Sequence, residues 1–381
     1  MHFQFSDDQH ALAKRVRAFI SGQVAPFATE HDRTETFPAG YFARFADEGL
    51  FGLGIPVEYD GQGLDAVSVG VALEEVARGE PAACHPVLNA TLIGSILSQN
   101  GTEAQQAAYL PLIARGEAIV ALCLTEPDHG TDAGGIEFEA APDGDGWRLS
   151  GTKTSIMVGA YATHGLVFAR TEDTGSRGIT AFFVPLDQPG VRRERLRDLG
   201  HRAGGRATLV FDDVAVGPEH RIGAAGEGLA KVLSGFSYSR ALIALNAIAA
   251  AQVALDEAFA HARERHAFGK PLGTFQGVTF PLVEHATYLK AARLLAYEAL
   301  WRKDQGLEHR VEANMVKSWA PKAAVDAIHQ ALLTLGHLGW SVDRPMERRL
   351  RDAIGLQLAD GTANATKLAV ARELLGRAYA P

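Results

Sequence analysis

Asp360 stands before Gly361 and Thr362 near the end of the sequence, and a carboxylate in that setting can do two things. It can act as a base, provided the chain desolvates it and holds it beside an acidic proton. It can also cap the helix that follows by accepting free backbone N–H groups. The two roles are compatible. In 124-LTEPDHGTD-132, Thr125 and Thr131 flank Gly130, so hydroxyls and backbone N–H groups crowd a tight turn where they could stabilise negative charge on a bound group. Taken alone, that string is also an ordinary polar loop. Arg265, which opens 265-RHAFGKPLGTFQ-276, carries a guanidinium matched to phosphate in shape and charge, or one that offsets the dipole at a helix end.

Other chemistry is poorly supported. His129, His201, His261, His266 and His337 have no partner at a recognised ligand spacing, so no metal site is expected. The glycine-rich 222-IGAAGEG-228 follows a strand-rich region without a βαβ unit and so fails as a dinucleotide loop. Cys84 and Cys123 form neither a CxxC pair nor a disulfide framework; both read as small core residues in a reducing compartment. A formal net charge of −8 argues against nucleic acid as the main partner. The basic runs 192-RRERLR-197 and 348-RRLR-351 read as solvated faces. The N-terminal MHFQFSDDQHALAKR has early acids and no apolar h-region, no apolar run reaches membrane-spanning length, and a cytoplasmic protein is expected.

The elements that must position these strings fall into three blocks. Residues 1–118 read as helical: Phe5, Leu12, Val16, Phe19 and Ile20 recur near helical spacing, Ser6 and Gln9 form a capping box, and Pro26 marks a break. Helices are predicted at 66–79, 87–101 and 103–116. In residues 119–223 the texture changes to β-branched and aromatic runs (146–151, 164–171, 179–186 and 206–216), which predict a mostly antiparallel sheet with a hairpin at 143-DGDG-146. Residues 224–381 return to long helices near 240–265, 276–305, 312–335 and 364–376, a four-helix-bundle pattern. The class is α+β in the order α, β, α.

Taken in order, the strings resemble those of the acyl-CoA dehydrogenase superfamily. The segment 124–132 resembles its T-E-P-x-x-G-[ST]-D signature, 265–276 its R-x-x-F-G…Q signature, and 350-LRDAIGLQLADGT-362 its R-D-A…E-G-T signature; 61-GQGLD-65, 199-LGHR-202 and 211-FDDVAV-216 also fall where the family places similar text. The likeness covers essentially the whole chain. It implies an N-terminal helical domain, a middle β-domain and a C-terminal four-helix bundle, assembled as a homotetramer or dimer. It implies FAD between the β-domain and the bundle, shared in part with a neighbouring subunit.

The resemblance assigns cofactor contacts to Leu122, Leu124, Thr125, Gly130, Thr131, Ile156, Met157, Arg265, Phe268, Gln276, Gly336 and Thr362. It assigns substrate contacts to Thr131, Ser237, Arg240, Ala359 and Gly361, and it makes Asp360 the base. The reaction expected is α,β-dehydrogenation of an acyl thioester on CoA or a carrier protein: Asp360 takes the α-proton, the β-hydrogen leaves as hydride to the flavin, and an electron-transferring flavoprotein accepts the electrons.

The sequence departs from the family pattern at several of these surfaces. Asp360 replaces the usual Glu and is shorter by about 1.5 Å. Ser239 stands where other branches carry a Glu, so no alternative carboxylate is present. Ser155 replaces an aromatic, Met157 a Thr or Ser, Gly204 a Ser, Ala359 a Tyr, Leu333 a Gln and His337 a Gly. Ser155 and Ala359 remove bulk, which predicts a roomier acyl pocket. Two other readings stay open at this stage. One is a flavin oxidase of the nitroalkane-oxidase type, which also uses Asp. The other is a largely structural subunit of a mixed tetramer, suggested by Met157 and Leu333.

Overall fold

The structure, a computed structural model, describes residues 4–376 and 378–380. The N-terminal part holds α1 (Asp7–Gln23), α2 (Ala28–Thr34), α3 (Tyr41–Asp47), α4 (Ala66–Gly79), α5 (Cys84–Asn100) and α6 (Glu103–Ala114). The predicted capping box is formed: Ser6 Oγ accepts the Gln9 N–H at 3.2 Å, and Gln9 Oε1 accepts the Ser6 N–H at 3.0 Å. Asp65 caps α4 through the Ser68 N–H, while Asp304 from the C-terminal bundle accepts the N–H groups of Ala66 and Val67. That pairing ties the first block to the third.

The middle part holds β1 (Val120–Cys123), β2 (Glu139–Asp143), β3 (Gly146–Ile156), β4 (His164–Arg170), β5 (Ile179–Pro185), β6 (Val191–Arg195), β7 (Ala207–Val216) and β8 (Arg221–Ile222). The sheet order is β6-β7-β3-β2-β4-β5-β8, with β1 parallel to β4 and most other pairs antiparallel. The predicted hairpin closes with Asp143 opposite Gly146 and Gly144 at φ 63°. Cys123 is buried in the core of this sheet and Cys84 in the helical core, both as free thiols. Strands β1, β2, β6 and β8 lie outside the sequence expectation. They are short, and their Ala, Pro and Arg content hides them. The run 192–197 is mostly the edge strand β6, with alternate side chains exposed.

The C-terminal part begins with α7 (Gly228–Glu264), a small hairpin of β9 (His266–Ala267) and β10 (Lys270–Pro271), then α8 (Gln276–Asp304), α9 (Arg310–Leu335), α10 (His337–Trp340), α11 (Met346–Gly355) and α12 (Ala363–Leu375). Helices α7, α8, α9 and α12 make the bundle. Among the described residues α7 is long and apolar enough to cross a membrane, but most of its apolar stretch is buried inside the protein as the bundle's central helix.

Two expectations fail here. Helix α7 starts at Gly228, three turns before residue 240. The basic run 348–351 is not a solvated face but lies on α11, where Arg348 and Arg349 are buried. Arg349 donates to Glu257, and Arg351 donates to Asp32 on α2, to Glu347 and to the Leu199 carbonyl. Paired charges can be buried where single ones cannot. Arg351 therefore links all three blocks at one point.

Candidate active site

Asp360 sits in a two-residue left-handed turn between α11 and α12, with φ 51° at Asp360 and 98° at Gly361. An L-residue adopts that region at some cost, so it needs support from its surroundings. The support comes from two helices. Ser239 of α7 donates its hydroxyl to Asp360 Oδ2 at 2.5 Å. The neighbouring Arg240 donates Nε to the Asp360 carbonyl at 3.0 Å. Lys317 of α9 donates Nζ to the Gly361 carbonyl at 3.0 Å. Burial pushes the Arg240 guanidinium below its ordinary pKa, with Asp360 pulling the other way.

The helix-cap role for Asp360 is not what the fold uses. Thr362 is the N-cap of α12: its Oγ1 accepts the Ala365 N–H at 3.2 Å. Thr362's hydroxyl is thus committed to the helix, and the Asp360 carboxylate, half-buried, is released from that duty. Ala359 is half-buried beside it, and Gly361 is close-packed: a Cβ there would lie 3.3 Å from Arg240 Nη2.

One turn further toward the start of α7, Ser237 lines a cavity of about 320 Å³. Ser95 and Gln99 of α5, Tyr238 of α7, and Lys303, His309 and Arg310 around the α8–α9 turn complete most of its polar wall.

The 124–137 loop is built on a buried ion pair. Lys153 Nζ donates to Glu126 Oε1 at 2.7 Å and to the Leu124 carbonyl at 3.0 Å, while the same carboxylate accepts the N–H groups of Glu137 and Phe138. Burial pushes the Lys153 ammonium down to about 8 against the pull of Glu126. This clamp presents Thr125 half-buried and Gly130 and Thr131 exposed, with open space where a Gly130 side chain would be. Leu124 and Ile156 are buried and Leu122 half-buried, so Leu124 and Ile156 can offer a ligand only backbone edges.

At Ser155 (φ 59°) the β3–β7 register shifts, and the strand ends at Ile156, just before Met157. The carbonyl of Met157 is held by Asn89 of α5 at 3.3 Å. Ser155 itself is exposed and accepts Arg206 Nη1 at 2.9 Å.

Two of the departures seen in the sequence turn out to touch. A Cβ on Gly204 would lie 2.9 Å from Met157 Sδ. The sulfur therefore fills the space that a side chain at 204 would need.

Arg265, Phe268 and Gln276 are not brought to Asp360. They surround the β9–β10 hairpin at the far end of α7, all exposed, with Phe268 95% accessible. Twenty-five residues of α7 separate Arg240 from Arg265, about 37 Å at 1.5 Å per residue. Gly336 (φ 61°) and Leu333 are exposed at the end of α9. His261, Arg265 and His337 interact electrostatically, which places the ends of α7 and α9 together.

The donor set fits FAD on these grounds: hydroxyls and backbone edges at an unobstructed strand end, a pinned loop, and an exposed guanidinium. Sequence reasoning missed Lys317, and it noted Ser239 only for not being a carboxylate. Among the described residues no cluster of metal-ligating side chains is present.

Comparison with known proteins gives a consistent result. The models for the N-terminal, middle and C-terminal domains of acyl-CoA dehydrogenase match residues 6–117, 121–214 and 226–375. The mitochondrial short-chain specific acyl-CoA dehydrogenase of Rattus norvegicus is 34% identical over 380 residues, covering 99% of this chain and 92% of that one. The solved butyryl-CoA dehydrogenase of Megasphaera elsdenii superposes with a TM-score of 0.96 at 30% identity, covering 98% of this chain and all of that one. The prolyl acyl carrier protein oxidase AnaB superposes with a TM-score of 0.94 at 27% identity, covering 97% of this chain and all of that one.

Proposed function

This chain belongs to the acyl-CoA dehydrogenase family, a FAD-dependent oxidoreductase acting on CH–CH, and from that premise we propose that Asp360 is the base that opens α,β-dehydrogenation of an acyl thioester. The observation that carries the reading is the Asp360 turn. Its carboxylate is freed from capping by Thr362, fixed at one oxygen by Ser239 and set beside two cationic side chains.

The division of labour follows from that geometry. With Oδ2 held by the Ser239 hydroxyl, Oδ1 is the oxygen left to take the α-proton. Arg240 and Lys317 hold the carbonyls of Asp360 and Gly361. Because C=O and N–H point oppositely across a planar trans peptide, the Gly361 and Thr362 N–H groups face away from those cations. They are placed to polarise a thioester carbonyl. FAD, when bound, supplies the acceptor for the β-hydrogen, leaving as hydride. Thr125, Gly130, Thr131 and the backbone at Leu122, Leu124, Ile156 and Met157 would hold its ring. Arg265, about 37 Å from Arg240 along α7, would serve the site of a neighbouring subunit together with Phe268, Gln276 and Gly336.

The 320 Å³ cavity at Ser237, with amide, hydroxyl and cationic groups and the Glu308 carboxylate in its lining, suits the polar arm of the thioester better than an aliphatic chain. That arm is common to CoA and to carrier proteins, and the likeness to a carrier-protein oxidase supports keeping both as substrates. An electron-transferring flavoprotein is the proposed acceptor.

Anaerobic titration of the purified flavoprotein with acyl-CoAs of varied length and branching tests the reading. Bleaching of the flavin band by one of them in wild type, but not in Asp360→Asn, is the expected result. Bleaching that persists in Asp360→Asn removes Asp360 as the base. A protein that stays colourless with FAD points instead to the mixed-tetramer reading.

A further inference from the structure

Lys317 lies near the middle of α9 with no exposed surface, on a helix whose buried positions are otherwise mostly apolar, Ala313, Ala320 and Ala324 among them. An ammonium in such a place is costly unless something there requires it. Among the described residues its hydrogen bond runs to the Gly361 carbonyl. The charged groups that act on it are Asp360, which favours its protonated form, and Arg240, which opposes it; burial outweighs both and pushes it down to about 8. Several other charged side chains on the surrounding helices are engaged elsewhere: Arg349 with Glu257, Asp352 with the His201 N–H, Arg302 with Glu312, and Arg310 with Glu373.

We infer that Lys317 is a positioning residue for the catalytic turn: it fixes the Gly361 carbonyl and with it the backbone that aims the Asp360 carboxylate. It touches no substrate and acts through Asp360 and Gly361. The inference rests on the reading of Asp360 as the base. Two features distinguish it from a plain packing role. First, the turn is left-handed at both residues, a conformation that persists only where its surroundings over-determine it. Arg240 pins the carbonyl of one residue and Lys317 that of the next. Second, a long apolar side chain would fill the same space without a desolvation cost, so the ammonium itself is what the site uses.

The test uses the FAD-loaded protein with whichever acyl-CoA reduces it, measuring kcat and KM across pH for Lys317→Met, Lys317→Gln and Lys317→Arg beside Asp360→Asn. Melting temperature and flavin absorbance check that each variant is folded and loaded. Without the ammonium the Gly361 carbonyl is free to move, so Lys317→Met and Lys317→Gln should lower kcat about tenfold. KM should stay within about twofold of wild type, because the residue acts through the turn. Lys317→Arg, which keeps a cationic donor, should restore most of kcat.

An unchanged kcat in a folded, flavin-loaded Lys317→Met or Lys317→Gln overturns the inference while leaving the base reading intact, provided Asp360→Asn is inactive. If Lys317→Met fails to fold, the contrast between Gln and Arg decides; if all three fail to fold, the role is packing and the inference falls. An active Asp360→Asn removes the base reading and the inference together.

Discussion

The hydroxyl of Ser239 on α7 stands 2.5 Å from Oδ2 of Asp360, 121 residues later in the chain. The contact leaves no slack for a longer carboxylate. Asp360→Glu adds about 1.5 Å of reach and drives its carboxylate into the Ser239 side chain. The single variant should be slower than wild type although it restores the commoner family residue. Asp360→Glu combined with Ser239→Gly should recover a large part of the loss. Single-turnover flavin reduction measures this directly; a single Glu variant as fast as wild type would show that the pair is not coupled.

Loss of the hydroxyl alone has a different signature. Ser239→Ala removes one charge-assisted hydrogen bond and leaves the carboxylate in place, so kcat should fall about tenfold while KM holds. Asp360→Asn removes the base and should cost about 10²–10⁴-fold. Equal losses in the two variants would mean that Ser239 does more than orient its partner.

The order α, β, α, most of the helices and the longer strands were legible because apolar periodicity and Gly/Pro punctuation mark them locally. The first three turns of α7 were not, since Gly228, Gly235 and several polar residues weaken the helical pattern that burial then overrides. Helix α11 was misread because 348-RRLR-351 looks wet, and only the structure supplies Glu257, Asp32 and Glu347 as partners. In the candidate site, Asp360, Arg240 and Ser237 came from ordered strings. Lys317 could not: one lysine in an Ala-rich helix looks like the solvated side of any bundle helix. The contact between Met157 and Gly204 was equally invisible, since each was only a departure from a pattern until their separation was known.

The Glu126–Lys153 pair gives a stability prediction with a definite sign. Lys153→Met leaves Glu126 buried without its cation, which should destabilise the fold by about 3–5 kcal/mol at neutral pH. In wild type the folded lysine titrates near 8 and its ordinary value is 10.5. Between those values the unfolded chain binds more protons than the folded one, so this lysine's contribution to stability rises with pH across that window. The gap between wild type and Lys153→Met should therefore widen between pH 8 and 10.5. Melting curves of both proteins across that range read it, and a narrowing gap would contradict the assignment.

Met157 and Gly204 should behave as one unit. A Cβ at 204 would meet the Met157 sulfur at 2.9 Å, closer than van der Waals contact allows. Gly204→Ser alone must displace either the Met157 side chain or the 199–206 loop, which is fastened through the His201 N–H to Asp352 and through the Leu199 carbonyl to Arg351. Overpacking of this kind costs about 1–3 kcal/mol. Met157→Thr alone opens a gap. The double variant Gly204→Ser/Met157→Thr trades the sulfur for a smaller side chain and gives the new serine its room, so its loss should be smaller than the sum of the two singles. Melting temperature and retained flavin absorbance report this together, because the same contact shapes the loop and the backbone edge at Met157. Additive losses would show that the two departures are independent, and that the 204 side chain finds space by moving the loop instead.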